Sequence, residues 1–197
     1  IDLDTRGGRI TFLEKTKGFI LQSDKDGWEN MYLHNLDGTL KNKITNGNFW
    51  SSSVVKIDET NQLVYFAARK ENSTRTDFYV ASLDGKKIQR LSFGDFTHRV
   101  DLSPGGSYFV TIYSNATTPD RLALVDKKGK LIKELGDAKG PEFDQYELAR
   151  TEILRIKSED GLYDLPIRIT WPLNYDKSKK YPVMITLFSP SISTEEI

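Results

Sequence analysis

Cysteine is absent from this 197-residue sequence, which excludes disulfide bonds, thiolate catalysis and cysteine-ligated zinc. An excess of charge is absent too, because 28 Lys and Arg balance 28 Asp and Glu. A neutral balance removes the electrostatic reason to expect a nucleic acid or an anionic membrane as a partner. No apolar run approaches the roughly 20 residues that cross a bilayer. An initiator Met is also missing, so we expect Ile1 to follow an internal cut, with any targeting segment upstream.

The most informative pattern is a layout that occurs three times, at residues 9–45, 53–92 and 99–136. Each copy contains four short runs of β-forming residues separated by turn-forming residues. The strands are expected near 9–13, 18–22, 30–35 and 40–44, then near 54–57, 63–67, 77–82 and 88–91, and finally near 99–102, 107–112, 121–125 and 131–135. Four antiparallel strands repeated in this way are typical of the blades of a β-propeller.

The turns repeat together with the strands. The third turn of the three copies contains Gly38, Gly85 and Gly129, which recur at intervals of about 45 residues. Glycine between apolar runs indicates a hairpin because it adopts positive φ without strain. The second run of each copy is almost entirely apolar, as at Phe19–Leu21, which predicts a strand between neighbouring blades. The fourth run carries Lys and Arg, which predicts an outer edge strand.

These repeats predict an all-β fold, a partial β-propeller of about three four-stranded antiparallel blades. An antiparallel sandwich with coincidental spacing is the alternative, and we favour the propeller because turns and strands repeat together. Closed propellers have about 4–8 blades, so three blades predict a fragment or a sheet completed in some other way. Because an open set of blades exposes two large apolar faces, we expect self-association through dimers or swapped edges.

The blade pattern ends near Gly136, and residues 136–140 indicate a linker. Pro141 and the acidic residues after it predict one or two turns of helix over residues 141–148. Three more strands are expected at 151–157, 162–171 and 181–188. The last of these is continuously apolar, which suits a strand buried on both faces of an α/β sheet. We therefore expect a second domain over residues 141–197, represented only by its opening strands.

Several segments resemble one known family. Ser23–Trp28 and Leu36–Gly38 resemble the blade motif of bacterial dipeptidyl peptidase IV-like enzymes, and Leu102–Phe109 resembles a later blade of the same proteins. Trp171–Val183 is the most specific part, because it is similar to the segment that enters the hydrolase domain of that family. Over about residues 9–188 the sequence therefore resembles the dipeptidyl peptidase IV branch of the prolyl oligopeptidase family.

The resemblance implies both a fold and an activity. Members of this branch place a propeller over an α/β-hydrolase domain, and the active site lies between the two. A Ser nucleophile, with Asp and His later in the chain, removes N-terminal dipeptides from oligopeptides, often after Pro or Ala. The propeller gates the site and helps to hold the peptide substrate. Residues 1–140 would be propeller and residues 141–197 the start of the hydrolase domain, and a periplasmic or extracellular location is favoured over a cytoplasmic one.

The catalytic machinery of the family is expected outside this sequence. No Gly-x-Ser-x-Gly motif is present, the triad would lie downstream of Ile197, and the acidic residues that bind the substrate amine would lie upstream of Ile1. We therefore expect the chain alone to be inactive. We also expect it to have no catalytic residue, metal site or cofactor of its own.

One catalytic position of the family does fall within the sequence. After the strand that begins at Tyr181, the family places a Tyr whose hydroxyl helps to stabilise the oxyanion, and here Phe188 aligns with it. Phenylalanine has no hydroxyl, and residues 189–192 also depart from the Gly-Pro turn of the family. Two alternatives stay open: the longer protein is a divergent or inactive homologue, or the end of this sequence is altered.

Other functions remain as alternatives. One is a non-catalytic propeller that binds proteins, either TolB-like or an inactive peptidase homologue, and another is an unrelated all-β binding module. His34 and His98 lie far apart without a nearby acidic motif, so we interpret them as structural or surface residues. Asp24 and Asp26 suggest a calcium loop, but Leu33 occupies the place of the required Glu, so the pattern fails.

Overall fold

The computed structural model describes residues 9–49 and 52–186. Three sheets of four strands account for the repeated part of the chain. The first contains β1 (Arg9–Leu13), β2 (Gly18–Ser23), β3 (Asn30–Asn35) and β4 (Leu40–Lys43). The second contains β5 (Ser52–Asp58), β6 (Leu63–Ala68), β7 (Asp77–Ser82) and β8 (Ile88–Arg90). The third contains β9 (Thr97–Leu102), β10 (Tyr108–Ser114), β11 (Arg121–Asp126) and β12 (Leu131–Asp137).

Each sheet is an antiparallel meander in which spatial order follows chain order. We call the sheets blades 1, 2 and 3. Ile20, Tyr65 and Val110 lie on β2, β6 and β10, which are the second strands of successive blades. The predicted partial propeller of three four-stranded blades is therefore confirmed, with strand ends that differ from expectation by a few residues. The fourth strands β4, β8 and β12 are edge strands, as their charged residues predicted.

Blade 2 is covered on both faces because its side chains alternate between two cores. One core joins blade 1 to blade 2 and contains Leu13, Ile20, Met31, Leu33, Ile44, Phe49, Val64, Phe66, Ala68, Tyr79, Ala81 and Leu83. The other joins blade 2 to blade 3 and contains Tyr65, Phe78, Leu91, Phe109 and Val125. Along β6, Val64 and Phe66 face blade 1, whereas Tyr65 faces blade 3.

Aromatic rings fill the centre of each core. Phe66 and Tyr79 stack with their centroids 5.4 Å apart in the first core. Phe78 meets Phe109 edge-on at 5.0 Å in the second. Removing side chains of this size from water contributes about 1.5–3 kcal/mol each. Packing between blades is therefore the main source of stability for these sheets.

A turn glycine of each following blade lies directly on the backbone of the blade before it, in or just after the fourth strand. Gly85, in the turn between β7 and β8, has φ +73°, and a Cβ there would lie well inside van der Waals contact with the Lys43 carbonyl oxygen. Gly129, in the equivalent turn of blade 3, has φ +85° and would place a Cβ 2.6 Å from the Leu91 carbonyl oxygen. Both turns need glycine for its backbone conformation and for its lack of a side chain.

Polar side chains support the same contacts between blades. Asn42 on β4 donates to the Leu83 carbonyl at 2.9 Å. Glu59 lies in the β5–β6 turn, and its carboxylate accepts hydrogen bonds from the β1–β2 turn, from the backbone N–H groups of Glu14, Lys15 and Thr16 at 2.8–3.1 Å. These bonds, led by the one from Thr16, lower the pKa of Glu59 because they favour its charged form. Each of these links fixes how one blade is oriented on the next.

The segment after the blades differs from its prediction. The predicted helix over 141–148 is a single 3-10 turn, Phe143–Gln145, followed by a hairpin of β13 (Thr151–Lys157) and β14 (Asp164–Thr170). The predicted strand over 181–188 is wrong for residues 181–186, which have no regular structure. The two hairpin strands pair only with each other, so no described strand supplies the ladder bonds that an apolar run requires. Residues 187 and 188 lie outside the described residues.

Within the described ranges, no helix is long and apolar enough to cross a membrane.

Replacing Gly85 by Ala tests the contact between the turn glycine and the preceding blade. We expect Gly85→Ala to lower the free energy of unfolding by about 1–3 kcal/mol more than Gly27→Ala, because it adds overpacking to backbone strain. Gly27 is the matched control: it has φ +84°, but a Cβ there would meet nothing within 4 Å. Urea unfolding of the two variants measures the difference. Equal losses would mean that the turn does not press on Lys43.

Candidate functional site: the loop end of the blades and the adjoining groove

One end of the blades faces the hairpin that follows them. The strands run antiparallel, so the connections β6–β7, β8–β9 and β10–β11 all lie at one end, which we call the loop end. Arg155 of β13 reaches this end and donates to Asn72 Oδ1 at 2.6 Å and to Ser73 Oγ at 3.0 Å. The β6–β7 connection of blade 2 is therefore joined directly to the hairpin.

A groove of about 700 Å³ separates the loop end from the hairpin. Arg75 lines it from the β6–β7 connection, Asp95 from the β8–β9 connection and Asn115 from the β10–β11 connection. Ile153 and Arg168 line it from the hairpin. Ile153 and Arg168 are opposite each other in the β13–β14 register. The groove thus combines an exposed guanidinium and an exposed carboxylate with amide groups, which suits hydrogen bonding to a polar chain.

A buried network of charged side chains, centred on Asp77, holds Arg75 at the wall of the groove. Asp77, the first residue of β7, is 0% exposed. Its Oδ1 accepts from Arg90 Nε at 2.9 Å and from Ser92 Oγ at 2.8 Å, and its Oδ2 accepts from Arg75 Nε at 3.0 Å. A buried carboxylate is tolerated only when charges and donors of this kind compensate for its lost hydration.

Arg75 connects this network to the groove. One side of its guanidinium binds the buried Asp77, and the other binds Asp95, which is 93% exposed. Partial burial works against the charged form, but Asp77 and Asp95 together raise the pKa of Arg75. Arg75 therefore stays charged and is held in one position at the edge of the groove.

Sequence reasoning missed this network, although a signal for it exists. A carboxylate at the start of the apolar run 77–81 has to be paired if the strand is buried, and Arg75 precedes it by two residues on the same side of an extended chain. The pairing with Arg90 could not be read from the sequence, because Arg90 on β8 is the register partner of Tyr79 on β7 and not of Asp77.

The two histidines lie inside the blades and not in the groove. His98 is buried between blades 2 and 3, where Nε2 donates to the Phe93 carbonyl at 2.8 Å and Nδ1 lies 3.1 Å from Thr111 Oγ1. Because a carbonyl only accepts, Nε2 carries the proton and Nδ1 accepts from the threonine hydroxyl. Burial lowers the pKa of His98 below its ordinary 6.5, with smaller opposing effects from Phe93 and Asp77.

The position of His34 is fixed by an aromatic neighbour and by the turn that follows its strand. The His34 ring stacks on Phe19 with a centroid distance of 5.1 Å, and its Nδ1 lies 3.0 Å from the Gly38 carbonyl oxygen. The groups of the suggested calcium loop are also engaged elsewhere, because Asp26 accepts from the Tyr32 hydroxyl at 2.9 Å and pairs with Lys43. Among the described residues, no three His, Asp or Glu side chains converge as metal ligands would.

Phe188, the position aligned with the oxyanion tyrosine, lies outside the described residues. Its role stays a prediction from sequence.

The fold and the groove define a class: a stack of antiparallel propeller blades with a second segment docked at the loop end. A family described as the dipeptidyl peptidase IV (DPP IV) N-terminal region matches residues 6–120. The chain belongs to this family. The match rules out the unrelated all-β binding module that the sequence left open.

Individual relatives agree with the family. Dipeptidyl peptidase 4 of Arthroderma otae is 28% identical over 185 residues, which cover 90% of this chain and 24% of the relative. The crystal structure of Porphyromonas gingivalis dipeptidyl peptidase 4 superposes with a TM-score of 0.74 at 26% identity, covering 88% of this chain and 24% of that one. A putative dipeptidyl aminopeptidase IV from Bacteroides ovatus superposes with a TM-score of 0.70 at 28% identity, covering 88% and 27%. The chain thus spans about a quarter of the length of these relatives.

Replacing Asp77 tests the buried network. We expect Asp77→Asn to lower the free energy of unfolding by about 3–5 kcal/mol, because two guanidinium groups lose a buried counter-charge. Asp95→Asn removes the other partner of Arg75 and is the matched control, since that carboxylate is 93% exposed and screened by solvent. Chemical unfolding should give a much smaller loss for the control. Equal losses would contradict the assignment of Asp77 as the central carboxylate.

His98 makes stability depend on pH in a defined window. The unfolded chain binds a proton at His98 below about pH 6.5, whereas burial lowers the pKa of the folded form. The unfolded state therefore binds more protons, and the free energy of unfolding falls as the pH is lowered from about 7 towards 5. His98→Gln should flatten this part of the profile. If the free energy of unfolding, measured by urea titration between pH 5 and 7, depends on pH as steeply in His98→Gln as in the unchanged chain, His98 is not the group responsible.

Proposed function

We propose that this chain is the propeller-to-hydrolase segment of a serine dipeptidyl peptidase, which removes N-terminal dipeptides from oligopeptides. One observation carries the proposal: the order of the blades and the docked hairpin, within a chain of the DPP IV N-terminal family. The named relatives are dipeptidyl peptidases, and this chain aligns with only part of each. Peptide hydrolysis is accordingly assigned to the longer protein and not to this segment.

In this proposal the segment gates and positions the peptide. The loop end forms one wall of the space between the propeller and the hydrolase domain, and the groove opens into that space. Arg75 and Arg168 offer guanidinium donors, and Asp95 and Asn115 offer acceptors, at positions that line the groove. Backbone amides and carbonyls of an extended peptide are suitable partners for such groups. The bond between Arg155 and the β6–β7 connection fixes the width of the opening.

The proposed activity requires a free substrate amine, and this requirement separates it from other peptidase activities. The longer protein should release the chromophore from an amino-terminal Xaa-Pro substrate, and it should not act on the same substrate with a blocked amine. The 197-residue chain alone should be inactive on both. A longer protein with an intact nucleophile elbow that leaves the free-amine substrate uncleaved would refute the proposal.

Phe188 provides a sharper test in the longer protein. If the position supplies the oxyanion donor, Phe188→Tyr should raise kcat by about 10²-fold or more, because one such donor contributes roughly 10²–10³ in rate. The KM for the peptide should change little, since the donor acts on the transition state. Phe188→Leu is the control and should leave kcat low. An equally low kcat for the Tyr variant would indicate that the oxyanion is stabilised from elsewhere.

A second candidate function is a non-catalytic propeller that binds proteins. The absence of a hydroxyl at Phe188 in the sequence favours it. In that case the groove would bind a peptide without cleaving it. Peptide binding by calorimetry, together with no hydrolysis of the free-amine substrate by the longer protein, would select this candidate.

A further inference from the structure

The groove between the loop end and the hairpin is bordered by more cations than anions. Arg75 and Arg168 line it, and Asp95 is the one acidic side chain among the described residues that do so. Arg155 lies beside the groove, where it donates to Asn72 Oδ1. A concave surface with this balance of charge attracts anionic groups.

The hairpin turns one of its faces towards this groove. Side chains alternate along a strand, so Ile153 and Arg155 of β13 share a face. Arg168 of β14 lies on the same face, because it is the register partner of Ile153. Arg155 contacts blade 2 from this face, and Arg168 therefore projects towards the blades as well.

Arg168 is an exposed guanidinium without a counter-charge. Within residues 9–49 and 52–186 it makes no hydrogen bond and no ion pair. The other two cations on the same face are engaged: Arg155 with the β6–β7 connection, and Lys157 with Asp164 at 2.9 Å. The N–H donors of Arg168 are therefore available to a ligand in the groove.

Arg75, on the opposite wall, also has donors to spare. Its Nε binds the buried Asp77 and its Nη1 binds Asp95, while its Nη2 makes no hydrogen bond among the described residues. The bond to Asp77 orders the guanidinium before a ligand arrives, which reduces the entropic cost of binding. Asp95 is 93% exposed, and an exposed ion pair contributes little free energy. An incoming carboxylate can therefore bind Nη2 or displace Asp95.

We propose that the groove binds a carboxylate of the peptide between Arg75 and Arg168, so that the site prefers acidic peptides. This inference rests on the proposed function and names the substrate class of the same site. Guanidinium groups suit a carboxylate because their charge-assisted hydrogen bonds are short and strong. The groove volume of about 700 Å³ lies within the range of about 300–1,000 Å³ that is usual for ligand sites. The carboxylate belongs to an Asp or Glu side chain or to the C-terminus of the peptide.

A basic peptide fits the groove less well. Asp95, the one carboxylate that lines it among the described residues, is already paired with Arg75. An ammonium group bound to Asp95 would lie beside Arg75 and opposite the uncompensated charge of Arg168, and like charges repel. The charges of the groove therefore discriminate against Lys and Arg side chains as well as favouring Asp and Glu.

Pairs of peptides that differ in one carboxylate test the proposal on the longer protein. Each peptide begins with Xaa-Pro, ends in an amide and carries a single Glu, placed in turn at every position after the dipeptide, and its partner carries Gln there. At the best position the Glu peptide should be preferred by about 5–10-fold, as expected for charge-assisted bonds to partly exposed groups. The preference is the ratio of kcat/KM where the peptides are cleaved and the ratio of Kd, by calorimetry, where they are not.

Three variants should change this preference in different ways. Arg168→Gln should bring the ratio close to one, and Asp95→Asn should raise it, because the competing carboxylate is removed. Lys157→Gln is the matched control: it removes a cation from the same hairpin face, 64% exposed and outside the lining of the groove, and should leave the ratio unchanged. Structural damage would weaken both peptides of a pair equally and would not change their ratio.

A further peptide set, with a free C-terminus and no Glu, separates the two sources of the carboxylate. A preference for Glu or for the free C-terminus that Arg168→Gln abolishes supports the site. A ratio near one for both sources overturns the proposal, as does a control variant that lowers the ratio as much as Arg168→Gln, or a lower ratio in Asp95→Asn. Failure to cleave any peptide refutes only the proposed peptidase function, because the Kd ratio still decides the preference for a carboxylate.

Discussion

Everything in this chain depends on one constraint: a four-stranded antiparallel sheet with apolar side chains on both faces must be covered on both faces. Blade 2 satisfies it, since Val64 and Phe66 pack on blade 1 while Tyr65 packs on blade 3. A single such sheet would leave its apolar side chains in water, which the hydrophobic effect disfavours. The blades are therefore stable as a stack, and the contacts between sheets decide both the fold and the placement of the loop end.

Polar groups and turn glycines then fix how neighbouring blades are oriented on each other and which groups are exposed at the loop end. The turn glycines allow backbone to press on backbone, which sets the distance between neighbouring blades. Asp77, buried at the loop end, holds Arg75 and Arg90 where the groove begins. Apolar packing supplies stability, and this charged cluster gives the loop end a defined shape. Arg155 joins that end to the hairpin.

Much of this fold could be predicted from the sequence, because period-two apolar runs and turn glycines are local signals. β1, β3 and β7 match their predicted bounds. The strand predicted over the apolar run 181–186 was wrong, because a strand also needs a partner strand, and the partner cannot be recognised from the local sequence. The groove could not be predicted either, because Arg75 and Arg168 are 93 residues apart and meet only through the docking of the hairpin. His98 and His34 were interpreted as structural or surface residues, and both are buried within the blades.

The central claim, that stacking between blades holds the sheets together, is tested most directly by amide hydrogen exchange at a concentration where the chain is monomeric. Exchange protection follows the free energy of local opening. The account predicts that β6 and β7, at the centre of blade 2, exchange slowest, with β2 and β10 faster and the β13–β14 hairpin fastest. Equal protection in all three blades, or slowest exchange in the hairpin, would contradict it, because each sheet would then be stable without its neighbours.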